Sequence, residues 1–255
     1  MGQYHKIINA TNKVYFDGGD VSAGMKLLEM GNSLTTTAAL VTLLARTWNN
    51  TQTLLLGDYA EEGDITSVDT ANIHIADIGN PTSLYDGLEE HGYLHFGKIA
   101  RNAAHKATGV TFEPEEITIK NFSAKGDHTY NFMHAHFPED TVYTEDHNHL
   151  YVATNSVTAA LDDTEPLAFV NYDTREKYAP GETMRHAIEH FGGGFGTTIY
   201  VMLAGSIRGG ARGGGDSNAP FGGIWAGYHV GIIPDNEAEG FADITDTIDR
   251  DLIET

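Results

Sequence analysis

The chain has 255 residues, of which 36 are acidic, 15 basic and 13 histidine, and it contains no cysteine. This length allows one larger domain or two small ones with a buried core. The absence of cysteine excludes disulfides, cysteine-ligated zinc and thiol catalysis. A formal charge of −21 argues against direct nucleic-acid binding, because such a chain repels phosphates. No apolar run reaches the roughly 18 residues of a transmembrane helix, so we expect no membrane insertion.

The N-terminal residues match neither a signal peptide nor a myristoylation signal. The opening MGQYHKIIN has no charged-then-apolar layout, and Lys6 stands where a myristoylated chain has Ser or Thr. We therefore expect a chain that is not secreted by a signal peptide. It would reside in the cytoplasm of a host cell or be associated with a virion assembled there.

The first ninety residues predict a hairpin, two helices and a strand. β-Branched and aromatic residues flank an Asn/Thr/Asn turn, and apolar spacing then changes to that of helices. The acidic residues Asp17 and Asp20 end the hairpin and cap the first helix. The predicted elements are a hairpin over 6–16, helices over 21–30 and 35–48, a buried strand over 53–56 and an acidic turn over 57–64.

The second half predicts the same elements in the same order. It has a hairpin over 167–178, helices over 180–191 and 197–206, a strand pair over 223–226 and 228–233, an acidic turn over 234–240 and a closing helix over 243–254. In this alignment Asn9 matches Asn171, Gly31 matches Gly192, Asp58 matches Asp235, and Ala-Asp-Ile occurs at both 76–78 and 242–244. The shared order and the repeated Ala-Asp-Ile favour an internal duplication, and two unrelated α+β segments that use the same common turn chemistry are the alternative.

We therefore predict an α+β fold in which two similar hairpin–helix–helix–strand units enclose an insertion. The first α+β unit spans residues 1–90 and the second spans 166–255. The insertion, residues 91–165, contains eight of the thirteen histidines and several short strand patterns, which predict mainly β structure.

These segments resemble an uncharacterised family of actinobacteria and their phages. The resemblance lies in the MGxYHKxxN opening, the GDYAExGD turn at 57–64, the GxRGGGD loop at 210–216 and a Trp-Ala-Gly sequence at 225–227. This chain divides those signatures between its halves, as two diverged copies of one family unit would. The resemblance implies a phage or actinobacterial source, and it implies no catalytic residues.

Histidine pairs supply the candidate metal ligands. His134 and His136, and likewise His147 and His149, lie two residues apart, so each pair shares one face of a strand and two strands can present four imidazoles. Solvated histidines near an interface, with a response to pH, are the simpler interpretation. We therefore expect no cofactor, and a divalent metal is the alternative for which these histidines could serve as ligands.

An alternative metal motif lies in the second unit. His186 and His190 are separated by one helical turn, with Glu189 beside them, which is the HxxEH pattern of zinc hydrolases. A polar helix face explains the same residues without a metal.

The glycine-rich stretch 208–217 is the candidate ligand-binding loop. It carries Arg208, Arg212 and Asp216, and backbone amides of such a loop can bind an anion. The GxGxxG and GKS/T nucleotide signatures are absent. A mobile interaction loop is the simpler interpretation.

The sequence favours a non-catalytic phage-type protein that acts through assembly or partner binding, as a virion component or a host-interacting factor. Its expected partner is another protein or a second copy of itself. The alternative is a metal-dependent hydrolase that uses the central histidines or the HxxEH helix. A third function, an acidic mimic of nucleic acid, requires aligned carboxylates, whereas here the acidic residues are spread over turns and helix ends.

Overall fold

The structure is a computed structural model that describes only part of the chain. The described residues are 4–21, 23–58, 88, 92–108, 117–118, 143–146, 149–152, 165–189, 194–205 and 221–253, and between 117 and 152 the description covers the backbone alone. The α+β class that the sequence predicts is confirmed, because helices pack against a large mixed sheet.

The first half begins with an antiparallel hairpin, two helices and a strand. Its elements are β1 (His5–Asn9), β2 (Val14–Asp17), a 3-10 helix (Gly19–Val21), α1 (Leu27–Gly31), α2 (Leu34–Leu44), β3 (Thr51–Gly57), β4 (Leu94–His95) and α3 (Gly97–Thr108). Three further strands, β5 (Ile117–Thr118), β6 (Tyr143–Asp146) and β7 (His149–Val152), form a separate sheet in the order β5-β7-β6.

The described strands and α-helices of the second half follow the same order, whereas its 3-10 helix comes after β10 and not after the hairpin. Its elements are β8 (Leu167–Asn171), β9 (Glu176–Tyr178), α4 (Met184–Glu189), α5 (Phe195–Leu203), β10 (His229–Pro234), a 3-10 helix (Asp235–Glu237), β11 (Ala242–Asp243) and α6 (Thr245–Ile253).

One eight-stranded sheet unites the two halves in the order β11-β9-β8-β10-β3-β1-β2-β4. All neighbouring strands in it are antiparallel except at the two edges, where β4 runs parallel to β2 and β11 runs parallel to β9. The halves meet in the middle of the sheet through β3 and β10. Each half therefore contributes four strands, which end in a two-residue parallel strand at the outer edge.

Both faces of the sheet are buried in its middle. Successive strand residues point to opposite faces, so Ile7 and Leu55 join the main core with the helices, whereas Ile8 and Leu54 join a second apolar cluster on the other face. Every residue of β3 is buried, including the polar residues 51–53, which fits its central position in the sheet.

The two hairpins turn by the same chemistry. The side-chain Oδ1 of Asn9 accepts a hydrogen bond from the Asn12 amide at 2.9 Å, and Oδ1 of Asn171 accepts one from the Thr174 amide at 3.1 Å. Each turn closes with a residue in the left-handed region, Lys13 at φ 52° and Arg175 at φ 60°. An asparagine that bonds its own turn explains why both hairpins form here.

Backbone hydrogen bonds outside the strands also correspond between the halves. The Asp58 amide donates to the Tyr4 carbonyl at 2.9 Å, and the Asp235 amide donates to the Pro166 carbonyl at 2.8 Å. At the outer edges the same holds for two further bonds, Leu94 N to Lys13 O at 2.8 Å and Ala242 N to Arg175 O at 2.7 Å. The counterpart of β11 in the first half is therefore β4. The Ala-Asp-Ile segment at 76–78 lies outside the described residues.

Several predicted boundaries differ from the structure. The helix expected over 21–30 is confined to Leu27–Gly31, because Asp20 belongs to a 3-10 helix and its carboxylate bonds the Asp17 amide instead of capping a helix. The strand expected over 223–226 is wrong, since residues 221–227 form turns that bury Trp225 and place Gly227 at φ 78°.

The region predicted as an insertion, 91–165, begins with elements of the main fold. Strand β4 extends the large sheet, and α3 packs against α2 with Ile99, Ala100 and Ala103 in the main core. The small sheet of β5, β6 and β7 follows later in the same region. None of the helices in the described part of the chain combines the length and apolar character needed to span a bilayer.

Candidate metal centre

Three potential metal ligands meet at the outer edge of the first half. Asp17 ends β2, Asp20 lies in the 3-10 helix that follows, and His95 lies in β4. Because β4 runs parallel to β2 with His95 opposite Tyr15, the imidazole reaches the carboxylates that follow β2. Residues that are 75 positions apart in the chain, Asp20 and His95, are thereby brought into contact.

The geometry of this cluster is close. One ligand atom from each residue lies within 4.8 Å of the others. Oδ2 of Asp20 lies 2.8 Å from Nε2 of His95 and accepts a hydrogen bond from the Asp17 amide, also at 2.8 Å. The Asp20 amide in turn donates to Oδ1 of Asp17 at 3.2 Å. Two carboxylates and one imidazole thus form a compact set of two oxygens and one nitrogen.

The cluster is partly withdrawn from water. Asp20 is buried, Asp17 is half-buried, and the His95 side chain is 45% exposed. Burial, and next the negative charge of Asp20, raise the pKa of Asp17, although backbone hydrogen bonds and His95 oppose the shift. Ionised Asp17 therefore costs the folded state stability at neutral pH, and a bound cation would offset that cost.

Neighbouring residues fix the ligands in place. The Tyr15 ring stacks on His95 with 4.9 Å between ring centroids, and Nζ of Lys6 lies 5.4 Å from the centroid of the same tyrosine ring. Nε of Arg101, on α3, donates to the backbone carbonyl of Asp20. A Cβ at Gly97 would overlap the Asp20 carboxylate, so a glycine at the start of α3 makes room for it.

The donor set suits a divalent transition metal. Imidazole nitrogen favours zinc and related ions, carboxylate oxygen also accepts manganese, and a site made only for calcium or magnesium would use oxygens alone. Three protein ligands at an exposed edge would leave further coordination positions for water or a partner group. A metal bound here would replace the hydrogen bond between His95 and Asp20.

The opposite edge of the sheet has different chemistry in the same positions. Lys177 and Asp243 lie opposite each other there, as Tyr15 and His95 do at the first edge. Nζ of Lys177 lies 2.5 Å from Oδ1 of Asp235 and 4.0 Å from Oδ2 of Asp243. At this edge a lysine ammonium supplies the positive charge beside the carboxylates.

The four central histidines are not tested as a metal site. His149 begins β7 and pairs through its backbone with Asp146 and Thr118, and its side chain lies outside the description. His134, His136 and His147 fall outside the described residues. The four-imidazole site remains a prediction.

Of the three candidate ligands in the HxxEH motif, His186 alone has a described side chain. His186 is exposed on α4, with Nδ1 3.4 Å from Oε2 of Glu182 one turn earlier. The side chain of Glu189 and all of His190 lie outside the description, as do Arg208, Arg212 and Asp216 of the glycine-rich loop. These alternatives also remain predictions.

Sequence reasoning missed the Asp17–Asp20–His95 cluster. In the sequence, Asp17 and Asp20 indicate the end of the hairpin and the cap of a helix. His95 is only one of the eight histidines in the region 91–165. The available signals are the spacing of Asp17 and Asp20 directly after a strand and the glycine two residues after His95. Neither signal shows that β4 would lie beside β2.

Comparison of the chain with protein-family models, with curated proteins and with solved structures finds no match. A function for this chain must therefore be inferred from its own residues and their geometry.

Proposed function

We propose that the chain is a non-catalytic, phage-type binding protein made of two diverged copies of one α+β unit. In this proposal the first copy binds a divalent cation through Asp17, Asp20 and His95. The protein acts by assembly or by binding a partner, as a virion component or a host-interacting factor, and the exposed side of the cation is available to that partner. The observation that carries the proposal is the contrast between the two sheet edges.

The duplication is supported by register as well as by element order. Hairpin turns, edge strands and the bonds of Asp58 and Asp235 recur at corresponding places in the two halves. Trp48 and Trp225, both almost completely buried, lie four residues before Gln52 and His229, and each is followed two residues later by a left-handed residue, Asn50 or Gly227. Shared turn chemistry alone does not account for equal spacing over so many elements.

The cation site is supported by the different residues that the second copy has at the corresponding edge. There the position of Tyr15 is occupied by Lys177, which brings its own ammonium to the carboxylates of Asp235 and Asp243. At the first edge two neighbouring carboxylates, one of them buried, lie close to a half-exposed imidazole, which contacts the carboxylate of Asp20. An added divalent ion supplies at this edge the charge that lysine supplies at the other.

The lack of apolar surface in the described part favours a polar or cation-dependent contact. Among the large hydrophobic side chains of the described residues, Tyr4 alone is exposed, at 48%. Protein interfaces that depend on apolar burial need a larger patch than this. An ion held at an exposed edge offers a partner a different source of binding energy.

A metal titration tests the proposed site. Protein purified without a histidine tag and stripped with chelator is titrated with zinc and with manganese at neutral pH by isothermal calorimetry. We expect one site that Asp20→Asn or His95→Gln weakens by at least about tenfold. The matched control is Asp243→Asn, which changes the residue that corresponds to His95 and should leave this site intact. Unchanged stoichiometry and affinity in Asp20→Asn would disprove the site, whatever other histidines bind.

A metal-dependent hydrolase is the alternative, and the half-exposed His95 favours it, because an ion there would keep a position open for water. Hydrolysis of small ester or phosphoester probes by the metal-loaded protein distinguishes the two functions. Turnover that Asp20→Asn abolishes would replace the binding role with a catalytic one. Metal binding without turnover would support the binding role.

A further inference from the structure

The contact between the two halves has the form of a homodimer interface. Strands β3 and β10 occupy corresponding positions in their halves and pair antiparallel with each other, with Gln52 opposite His229. Those two residues also correspond, since the Gln52 amide bonds the Thr11 hydroxyl at 2.9 Å and the His229 amide bonds the Asp173 carboxylate at 2.8 Å. Equivalent residues that lie directly opposite in an antiparallel pair place a local twofold axis between them.

The helices follow the same symmetry by packing across it. The first helix of the first half, α1, packs against the second helix of the second half, α5. In return α4, the first helix of the second half, packs against α2, the second helix of the first. Reciprocal contacts of this kind, in which one surface meets the corresponding surface of the partner, define an isologous interface.

Small and hydroxyl residues allow the halves to approach closely. The Thr197 hydroxyl on α5 donates to the Gly31 carbonyl at the end of α1, at 3.0 Å. A Cβ on Gly196 would overlap the Thr37 side chain of α2. Farther along the sheet, the Gly205 amide of the second half donates to the Leu55 carbonyl of β3 at 3.0 Å. The halves therefore share backbone hydrogen bonds and tightly fitted helices.

We infer that this contact is a self-complementary docking surface, and that the partner it fits is a second copy of the same α+β unit. The chain is then a covalently joined homodimer, whose halves remain associated without the connection between them. This inference rests on the duplication proposed above and is independent of the cation site, so failure of metal binding leaves it untouched.

Cutting the connection tests the inference on the full chain. A specific protease site is inserted between Asp162 and Asp163, and the uncut protein must melt at the wild-type temperature; an insertion between Gly109 and Val110 is used if it does not. After cleavage the two fragments should elute together from a sizing column at micromolar concentration and keep the native circular dichroism. Fragments that separate or precipitate without denaturant would overturn the inference.

A second variant shows whether the helix contact holds the fragments together. Gly196→Leu places a side chain where Thr37 packs, and it should raise the concentration at which cut fragments separate by about tenfold or more. Gly181→Ala is the matched control, because a Cβ there meets no neighbouring atom, although its φ of 80° adds local strain. Equal dissociation of the Gly196→Leu and Gly181→Ala fragments would place the binding surface elsewhere and contradict the proposal.

Refolding tests whether each half can pair with a second copy of itself. Cut protein unfolded in urea and returned to buffer should give pairs of like halves beside the original unlike pair, as resolved by native mass spectrometry. Like pairs would support self-complementarity. If unlike pairs alone form, the surfaces are complementary to each other but not to themselves, and the homodimer interpretation is wrong.

Discussion

The two outer edges of the sheet share a backbone and differ in chemistry. Each edge consists of the second hairpin strand, a parallel two-residue strand and the start of a helix. At the first edge these elements present Tyr15 and His95, together with Asp17 and Asp20. At the second edge the corresponding strand residues are Lys177 and Asp243, and a short connection at 180–181 replaces residues 18–24. The longer connection is what introduces Asp20.

One pair of corresponding backbone amides has a different hydrogen-bond acceptor at each edge. The Asp17 amide donates to the Asp20 carboxylate at 2.8 Å, whereas the corresponding amide, that of Ala179, donates to the Thr245 hydroxyl at 2.8 Å. Thr245 begins α6, and Gly97 begins α3 in the same position. A buried amide needs an acceptor, but either a carboxylate or a hydroxyl will serve. The charge of an edge can therefore change while its fold is kept.

The largest effect on stability is expected when the threonine that begins α6 at the second edge is introduced at the start of α3 in the first. Gly97→Thr puts a side chain where the Asp20 carboxylate lies, and overpacking of this kind costs about 1–3 kcal/mol. Urea unfolding measures the loss.

The double variant Asp20→Ala with Gly97→Thr supplies the control for that prediction. Its threonine hydroxyl can accept the Asp17 amide as Thr245 accepts that of Ala179, so the double variant should be more stable than the sum of the single effects by about 1 kcal/mol. Additive effects would mean that the two helix starts are not equivalent.

The strands and helices that the two halves have in common can be predicted from sequence because their signals are local. Asn9 and Asn171 each lie at the end of an alternating apolar strand, which predicts a hairpin turn at both places. Apolar spacing over 35–48 and 197–206 predicts buried helices, and the structure has α2 and α5 there, which end earlier at Leu44 and Leu203. Where a pattern spans a whole turn or several helical turns, the residues nearby suffice to predict the element.

The outer edges of the sheet cannot be predicted from sequence in this way. Strands β4 and β11 have two residues each, too few for any periodicity, and they exist because β2 and β9 offer unpaired backbone groups beside them. The segment 223–226 looks like a strand because it is apolar and aromatic. Burial of Trp225 against Phe169, with 4.9 Å between ring centroids, gives it a turn instead.

The candidate metal centre could not be predicted for the same reason. Asp17 and Asp20 are close in sequence, but the third ligand comes from β4, whose position depends on the whole first half having folded. A metal motif is recognisable in sequence when its ligands share one helix or hairpin, as the HxxEH pattern does. Ligands joined by an edge strand leave no such spacing.

Removing the lysine ammonium of the second edge should have a smaller effect on stability. Lys177→Met keeps the apolar part of the side chain and leaves Asp235 and Asp243 without an ammonium. Because both carboxylates are more than a third exposed, we expect a loss of less than about 1 kcal/mol, which shrinks further in high salt. Chemical unfolding at low and high ionic strength measures it. A loss that salt does not change would show that the alkyl chain, not the charge, matters.

The smallest effects, and the most specific, come from replacing one aspartate at each edge by asparagine. Burial, and next the charge of Asp20, raise the pKa of Asp17; at Asp243 burial acts in the same direction, but hydrogen bonds from Thr245 and the charge of Lys177 outweigh it and lower the pKa. A raised carboxyl pKa means that ionisation destabilises the fold, so Asp17→Asn should stabilise the metal-free protein slightly at neutral pH. A lowered pKa means that ionisation stabilises it, so Asp243→Asn should destabilise the protein slightly at neutral pH.

Melting temperatures measured from pH 3 to pH 8 should therefore separate the two variants by sign. The advantage of Asp17→Asn over wild type should disappear as acid protonates Asp17. The deficit of Asp243→Asn should shrink as the pH falls below about 4, where unfolded chains begin to bind the proton, and should vanish only below the lowered pKa of folded Asp243. With zinc added, the wild type should gain stability that Asp17→Asn does not, because the ion repays the cost of the ionised carboxylate in the wild type alone. If both substitutions change the melting temperature in the same direction, the two edges do not differ in this electrostatic respect. The reason for placing a cation at the first edge would then be lost.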